Sequence, residues 1–180
     1  EDIEYTDETL TIAKNDVTLN LGGNTLTITT ADIDGIEVKN GASLTIEGGN
    51  GKLNINSGSG KPIRVSNKQS ETTGKTMLTI KDVTIDIDNN AKTQTAVYAY
   101  AENGEHNAEV NIEDGAVINA TGARNFCVVQ LANNATLNVN GGIINASGMG
   151  SVFVAGRDNA GKDADDIVLN FNKGTINITG

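Results

Sequence analysis

The groups able to do acid–base, metal or nucleophilic chemistry in this chain are few and scattered. There is one histidine, His106, in AENGEHNAE, and there are three arginines, Arg64, Arg124 and Arg157. A general acid or base needs a positioned partner within hydrogen-bond reach. No neighbour in sequence supplies one to His106, which reads as a solvated loop residue. The densest carboxylates are Asp158, Asp163, Asp165 and Asp166, in RDNAGKDADD. Calcium takes hard oxygen ligands of this kind, but the segment lacks the glycine and terminal glutamate of the helical calcium loop. It is a weak Ca²⁺ candidate, and a plain solvated loop is the better reading. Asp86 and Asp88 in TIDIDNN share one face of an alternating segment, among amide and hydroxyl neighbours. The pair Gly22-Gly23 precedes no helix, so it makes no phosphate cradle. The lone Cys127 has no partner for an internal disulfide.

Bulk charge narrows the partners. Thirteen basic residues against 23 acidic ones give a formal charge of −10. Polyanions are bound by releasing counterions to Lys and Arg, so nucleic acid is excluded, as is an anionic membrane surface. No apolar run approaches the ~20 residues of a membrane span, which excludes membrane insertion. The first residues, EDIEYTDETL, read as the start of a mature or excised segment rather than a leader. At 180 residues the chain suits one domain, 1–180, with a real core.

What must position any site is a repeat. Short strand-like pieces bounded by Gly, Asn and Asp run from end to end, and no helical period survives. They fall into three families recurring in strict order, six times over. The first includes LTI at 10–12, IEV at 36–38, IRV at 63–65, VYA at 97–99, CVV at 127–129 and VFV at 152–154. The second runs from LNL at 19–21 to LNF at 169–171, and the third from LTI at 26–28 to INI at 176–178. The step from second to third is nearly constant: Leu21 to Leu26, Ile80 to Ile85 and Val139 to Ile144 each span five positions. The other two connections vary freely. One fixed bend and two tolerant ones describe a coil of three strands per turn, each strand pairing with its equivalent one turn away. The expected fold is therefore an all-β parallel solenoid of about six turns. LNVNGGIINA (137–146) is then a corner rather than a hairpin.

Stacking the turns sets Leu19, Leu44, Leu78, Val110, Leu137 and Leu169 in one inward column, and Leu26, Leu53, Ile85, Ile118, Ile144 and Ile176 in another. Between them Asn111, Asn138 and Asn170, and Asn119, Asn145 and Asn177, form outward columns able to hydrogen-bond along the stack. The sequons at Asn119, Asn134, Asn145 and Asn177 fall out of this repeat. On the stretches DVTLNLGGNTLTI, GIEVKNGASLTIEGG and ATLNVNGGIINASG, the chain resembles the right-handed parallel β-helix family, the pectate-lyase-like superfamily. It is most similar to non-catalytic versions in surface proteins of Gram-positive bacteria and in phage fibres and tailspikes. The likeness covers nearly all 180 residues, but such motifs specify fold far better than function.

The resemblance also says what an enzyme would need. Lyases of the family hold calcium with acidic residues beside an Arg or Lys base, and related hydrolases cluster Asp with His and Arg. Here only Arg64 projects from a first-family strand, with Glu37 and Tyr98 beside it on adjacent turns, and no carboxylate cluster follows. A polysaccharide lyase or hydrolase is thus the minor alternative. One surface feature stands out. The phase that buries Val97, Ala99, Cys127, Val129, Val152 and Val154 turns Tyr98, Tyr100, Phe126, Val128 and Phe153 outward. Four of the six aromatic residues then share one face, a candidate contact surface together with Arg64. The expected function is a non-catalytic structural or adhesive module of a bacterial cell surface, extracellular, contacting a glycan or a protein. The alternatives are a phage virion fibre or capsid decoration, self-associating for instance as a trimer, and a glycan-binding module. GTINITG ends on a strand without an amphipathic cap, which fits a piece of a longer protein or a covered end; EDIEYTDE reads as a shield for the other end.

Overall fold

The computed structural model describes residues 1–14, 16–68, 74–88, 95–102, 106–123, 126–156 and 166–180. The strands follow the coil. β1 (Ile3–Thr6) leads into β2 (Leu10–Ile12), β3 (Asp16–Asn20) and β4 (Thr25–Thr30). The next coils are β5 (Ile36–Lys39), β6 (Ser43–Glu47) and β7 (Lys52–Ser57), then β8 (Ile63–Asn67), β9 (Gly74–Ile80) and β10 (Thr84–Asp88). β11 (Thr95–Ala101), β12 (His106–Ile112) and β13 (Val117–Thr121) precede β14 (Cys127–Ala132), β15 (Ala135–Val139) and β16 (Ile143–Ser147). β17 (Ser151–Gly156), β18 (Val168–Phe171) and β19 (Thr175–Thr179) complete the series.

Every third strand pairs in parallel with its equivalent. The sheets run β2-β5-β8-β11-β14-β17, β3-β6-β9-β12-β15-β18 and β1-β4-β7-β10-β13-β16-β19. The fold is a three-strand-per-turn parallel β-helix solenoid of about six turns, as the repeat requires. The acidic N-terminal segment joins the coil: Ile3–Thr6 pairs with Leu26–Thr29 and adds a seventh strand at the end of the third sheet.

Period-2 alternation explains the packing, because inward residues stack on inward residues. In the third sheet Leu26, Leu53, Ile85, Ile118 and Ile144 form one column, and the last four are at most 1% exposed. Each buried aliphatic contributes about 1.5–3 kcal/mol. The first coil is offset from the expected stacking. Leu44 receives Val17 rather than Leu19, and Leu19 stacks on Ile46. VTLNL alternates over five residues, so two registers two residues apart both satisfy the pattern. The same ambiguity operates in the first sheet, where Val97 stacks on Val129 rather than Cys127.

Between the aliphatic columns the amides form continuous ladders. Asn145 Nδ2 donates to Asn119 Oδ1 (2.6 Å), and Asn177 Nδ2 donates to Asn145 Oδ1 (2.8 Å). In the second sheet Asn170 donates to Asn138 and Asn138 to Asn111, both at 2.8 Å. A third ladder climbs the fixed corner, from Asn172 to Asn140 (2.8 Å) and from Asn140 to Glu113 (2.9 Å). That corner bends without reversing the chain: β15 lies in the second sheet and β16 in the third, both parallel to their neighbours. Gly142 makes the bend at φ +77°, a left-handed conformation that favours glycine.

Candidate functional site

The outward face of the first sheet is built by register. One column runs Thr11, Glu37, Arg64, Tyr98, Gln130 and Val154. Beside it run Lys39, Ser66, Tyr100, Ala132 and Gly156. Two residues apart on β11, Tyr98 and Tyr100 point the same way, and their rings stack with centroids 6.0 Å apart and planes within 13°. Both are half-buried. The Tyr100 hydroxyl donates to Glu102 Oε1 (2.9 Å). Lys61, just before β8, places its ammonium 5.4 Å from the Tyr98 ring centroid, a cation–π contact.

Asp34 organises this corner. It accepts the Lys61 backbone N–H (2.6 Å) and pairs with both Arg64 Nε (2.7 Å) and Arg64 Nη2 (3.2 Å). Only Arg64 Nη2 donates a hydrogen bond to Asp34; Nε is close to the carboxylate but is not aligned to donate, so the contact is an ion pair rather than a two-pronged fork. Lys39 and Glu37 form a further ion pair (2.8 Å) on the neighbouring turn. Burial lowers the Lys61 pKa from its ordinary value, and the nearby Arg64 charge lowers it further against the opposing pull of Asp34 and Cys127. Burial also pushes the Cys127 thiol up, partly offset by a hydrogen bond with Thr95 and by the Lys61 charge.

Of the residues expected here, Arg64, Tyr98 and Tyr100 are brought together, and three others are not. Phe126 is 6% exposed and Val128 is fully buried, so neither belongs to an outer patch. Phe126 lies just before β14, and its backbone N–H donates to Ala123 O (2.9 Å). Its ring and Met149 crowd over Gly122, where a Cβ would lie 2.8 and 3.0 Å from them. Val128 lies between the paired positions Thr95–Cys127 and Val97–Val129. At this start of the sheet the outer side is covered too, since Ala96, its counterpart on β11, is also fully buried. Phe153 is turned the other way. It stacks on Val129 in the inward column and packs against the core, leaving Val154 on the outer face. VFV offers three apolar residues in a row, so its alternation carries no phase.

The sequence reading passed over Lys61, Asp34 and Gln130. Lys61 lies two positions before Ile63, at a corner where strand periodicity no longer applies; its place before Pro62, the chain's one proline, was the available signal.

Of the calcium candidates, Asp158, Asp163 and Asp165 lie outside the described residues; Asp166 is described and exposed. Arg124, Arg157 and the His106 side chain also lie outside them. Among the described residues no group of three or more His, Cys, Asp or Glu is placed to hold a metal ion. Asp86 is committed to neighbours: it pairs with Lys52 (2.6 Å) and accepts from Asn119 Nδ2 (2.7 Å). No described helix is long and apolar enough to cross a membrane. Compared with models of known protein families, with curated proteins and with solved structures, the chain matches none.

Proposed function

We propose that the chain is a non-catalytic structural and adhesive module of a bacterial cell-surface protein, holding a glycan-contacting face on a rigid β-helical rod. The observation that carries this reading is the parallel, half-exposed Tyr98–Tyr100 pair flanked in register by Arg64 and Gln130. Aromatic faces offer a large, stiff apolar platform, and a few planar polar groups at its rim give orientation. A pyranose ring presents the complementary surface, with apolar C–H faces and a hydroxyl rim. Three sheets locked by aliphatic columns and amide ladders hold that platform still, which limits the ordering cost of binding. The extracellular setting rests on the family resemblance.

A glycan array probed with wild type, Tyr98→Ala and Tyr100→Ala tests the reading. Selective binding by wild type, lost in both variants while their circular dichroism stays unchanged, is the expected result. Binding that survives both substitutions overturns the platform. Accumulation of unsaturated, ultraviolet-absorbing products from polyuronates, with or without added calcium, overturns the non-catalytic assignment.

A further inference from the structure

Asparagine followed by glycine occurs four times, at Asn40-Gly41, Asn50-Gly51, Asn103-Gly104 and Asn140-Gly141. With no side chain on the following residue, the main-chain nitrogen of the glycine can approach the asparagine Cγ. The fold treats these pairs differently. Asn140 is fastened at both ends of its amide: Nδ2 donates to Glu113 Oε1 (2.9 Å), and Oδ1 accepts from Asn172 Nδ2 (2.8 Å). The Gly41 N–H donates to the hydroxyl of the fully buried Thr76 (2.9 Å), and Asn40 is itself engaged. Asn103-Gly104 lies outside the described residues. Asn50, at the fixed corner between β6 and β7, is exposed, and its amide makes no hydrogen bond among the described residues. It opens onto a cleft shared with Glu47, Lys81 and Asp82. Among the described pairs, its amide is the one free to turn and open to water.

We propose that Asn50 is a site of spontaneous modification, where the amide is lost to water and the corner acquires an aspartate or an isoaspartate. Gly51 N, having given its proton to a solvent base, attacks Asn50 Cγ. The new N–Cγ bond closes a succinimide as the Cγ–Nδ2 bond breaks, and Nδ2 leaves as ammonia with a proton drawn from solvent. Water then opens the ring. Attack at the side-chain carbonyl gives aspartate, and attack at the main-chain carbonyl gives isoaspartate, in which the chain runs through the former side chain. One water is consumed, one ammonia is released, and nothing is oxidised or reduced. At Asn50 the hydrogen bond given up is a neutral one, from Gly51 N–H to Gly48 O (2.8 Å). Asn140 must leave the Glu113 carboxylate, a contact roughly twice as strong, and Asn172 as well. The products also differ. Aspartate adds a charge beside Glu47 and Asp82. Isoaspartate adds a main-chain methylene just before Gly51, which is tied to the coils on both sides. Its carbonyl accepts the Thr84 N–H (3.2 Å), and a Cβ on it would lie 2.5 Å from Leu21 Cβ. The isoaspartyl chain therefore stacks less well than one carrying Asn50→Asp. None of this depends on the glycan-contacting reading.

The test ages the full chain at mildly alkaline pH, folded and in guanidinium chloride. Peptide mass spectrometry with electron-transfer fragmentation then reads each pair and separates aspartate from isoaspartate. In the folded chain Asn50 is expected to convert at least about tenfold faster than Asn140, and in guanidinium chloride the two rates converge. Asn50→Gln, whose longer side chain closes only a larger and slower ring, is expected to stop conversion there and leave the Asn140 rate unchanged. Isoaspartyl-containing protein is expected to melt below Asn50→Asp. Conversion of Asn140 as fast as Asn50 in the folded chain, or an Asn50 that stays intact there, overturns the site. Isoaspartyl protein that melts with Asn50→Asp overturns the effect on the corner.

Discussion

Substituting alanine at Gly142 and, separately, at Gly23 isolates what fixes the constant corner. The two glycines have nearly the same backbone, φ +77° and +81°, at the same corner of different coils. Placing an L side chain in the left-handed region costs about 1–2 kcal/mol at either position. Their surroundings differ. A Cβ at Gly23 meets nothing within 4 Å, whereas one at Gly142 lies 2.7 Å from Ala116 O and 3.0 Å from Glu113 O. Those carbonyls cannot easily retreat, because Ala116 O accepts the Ile143 N–H (2.8 Å) and Glu113 O accepts the Ala116 N–H (3.2 Å). Overpacking of this sort adds about 1–3 kcal/mol. Gly142→Ala is thus expected to lose about 2–5 kcal/mol and Gly23→Ala about 1–2 kcal/mol. For a chain of this size each kcal/mol lowers Tm by about 2–4 °C. Thermal and urea unfolding followed by circular dichroism read the difference. Gly49→Ala (φ +57°, nearest atom Asp82 Oδ2 at 4.0 Å) repeats the uncrowded case in the second coil and controls for fraying of the first. Equal losses at all three positions would refute the argument that crowding by the preceding coil's carbonyls sets this corner.

Leu137→Ala, at a fully buried position in the second sheet, should lose about 2–5 kcal/mol in urea unfolding. Asn145→Asp replaces the amide that donates to Asn119 Oδ1 with a carboxylate. About 1–3 kcal/mol should be lost at pH 7, because the unpaired carboxylate holds its folded-state pKa above the ordinary value of about 3.9, and regained as pH falls from that raised value to below the ordinary one, which melts at pH 3 and pH 7 against wild type will read. Because the native Cys127 thiol is raised by burial, the unfolded chain releases its proton first as pH rises. Stability due to this group is therefore full below the unfolded-state value and declines as pH climbs towards the folded one. Cys127→Ala should flatten the alkaline limb of the stability–pH curve, and native Cys127 should react far more slowly with a disulfide reagent at pH 8 than the urea-unfolded chain does.

The architecture was legible because its signal is redundant. Six repeats of apolar–polar–apolar leave only one way to bury every column, so an error in one coil is corrected by the others. Local register was less legible for the same reason: VTLNL and FCVVQL satisfy the alternation in more than one frame, and the choice falls to the corner before each strand. The candidate face inherited that weakness. Tyr98 and Tyr100 alternate with Val97, Ala99 and Ala101 and could be phased, whereas Phe126 lies just outside its strand and Phe153 between two valines. Lys61 was invisible because its role depends on Asp34, Arg64 and Tyr98, which come from three successive coils and meet only in the folded stack.

Because the columns are nearly interchangeable from coil to coil, the length of the rod is counted rather than measured. Each coil adds one strand spacing, about 4.8 Å. Deleting the stretch from one residue to its register partner, as from Ile118 to just before Ile144, would rejoin like with like in the third sheet. The chain behaves as a ruler graduated in coils, on which a surface group is moved along the axis by whole divisions without being turned to another side.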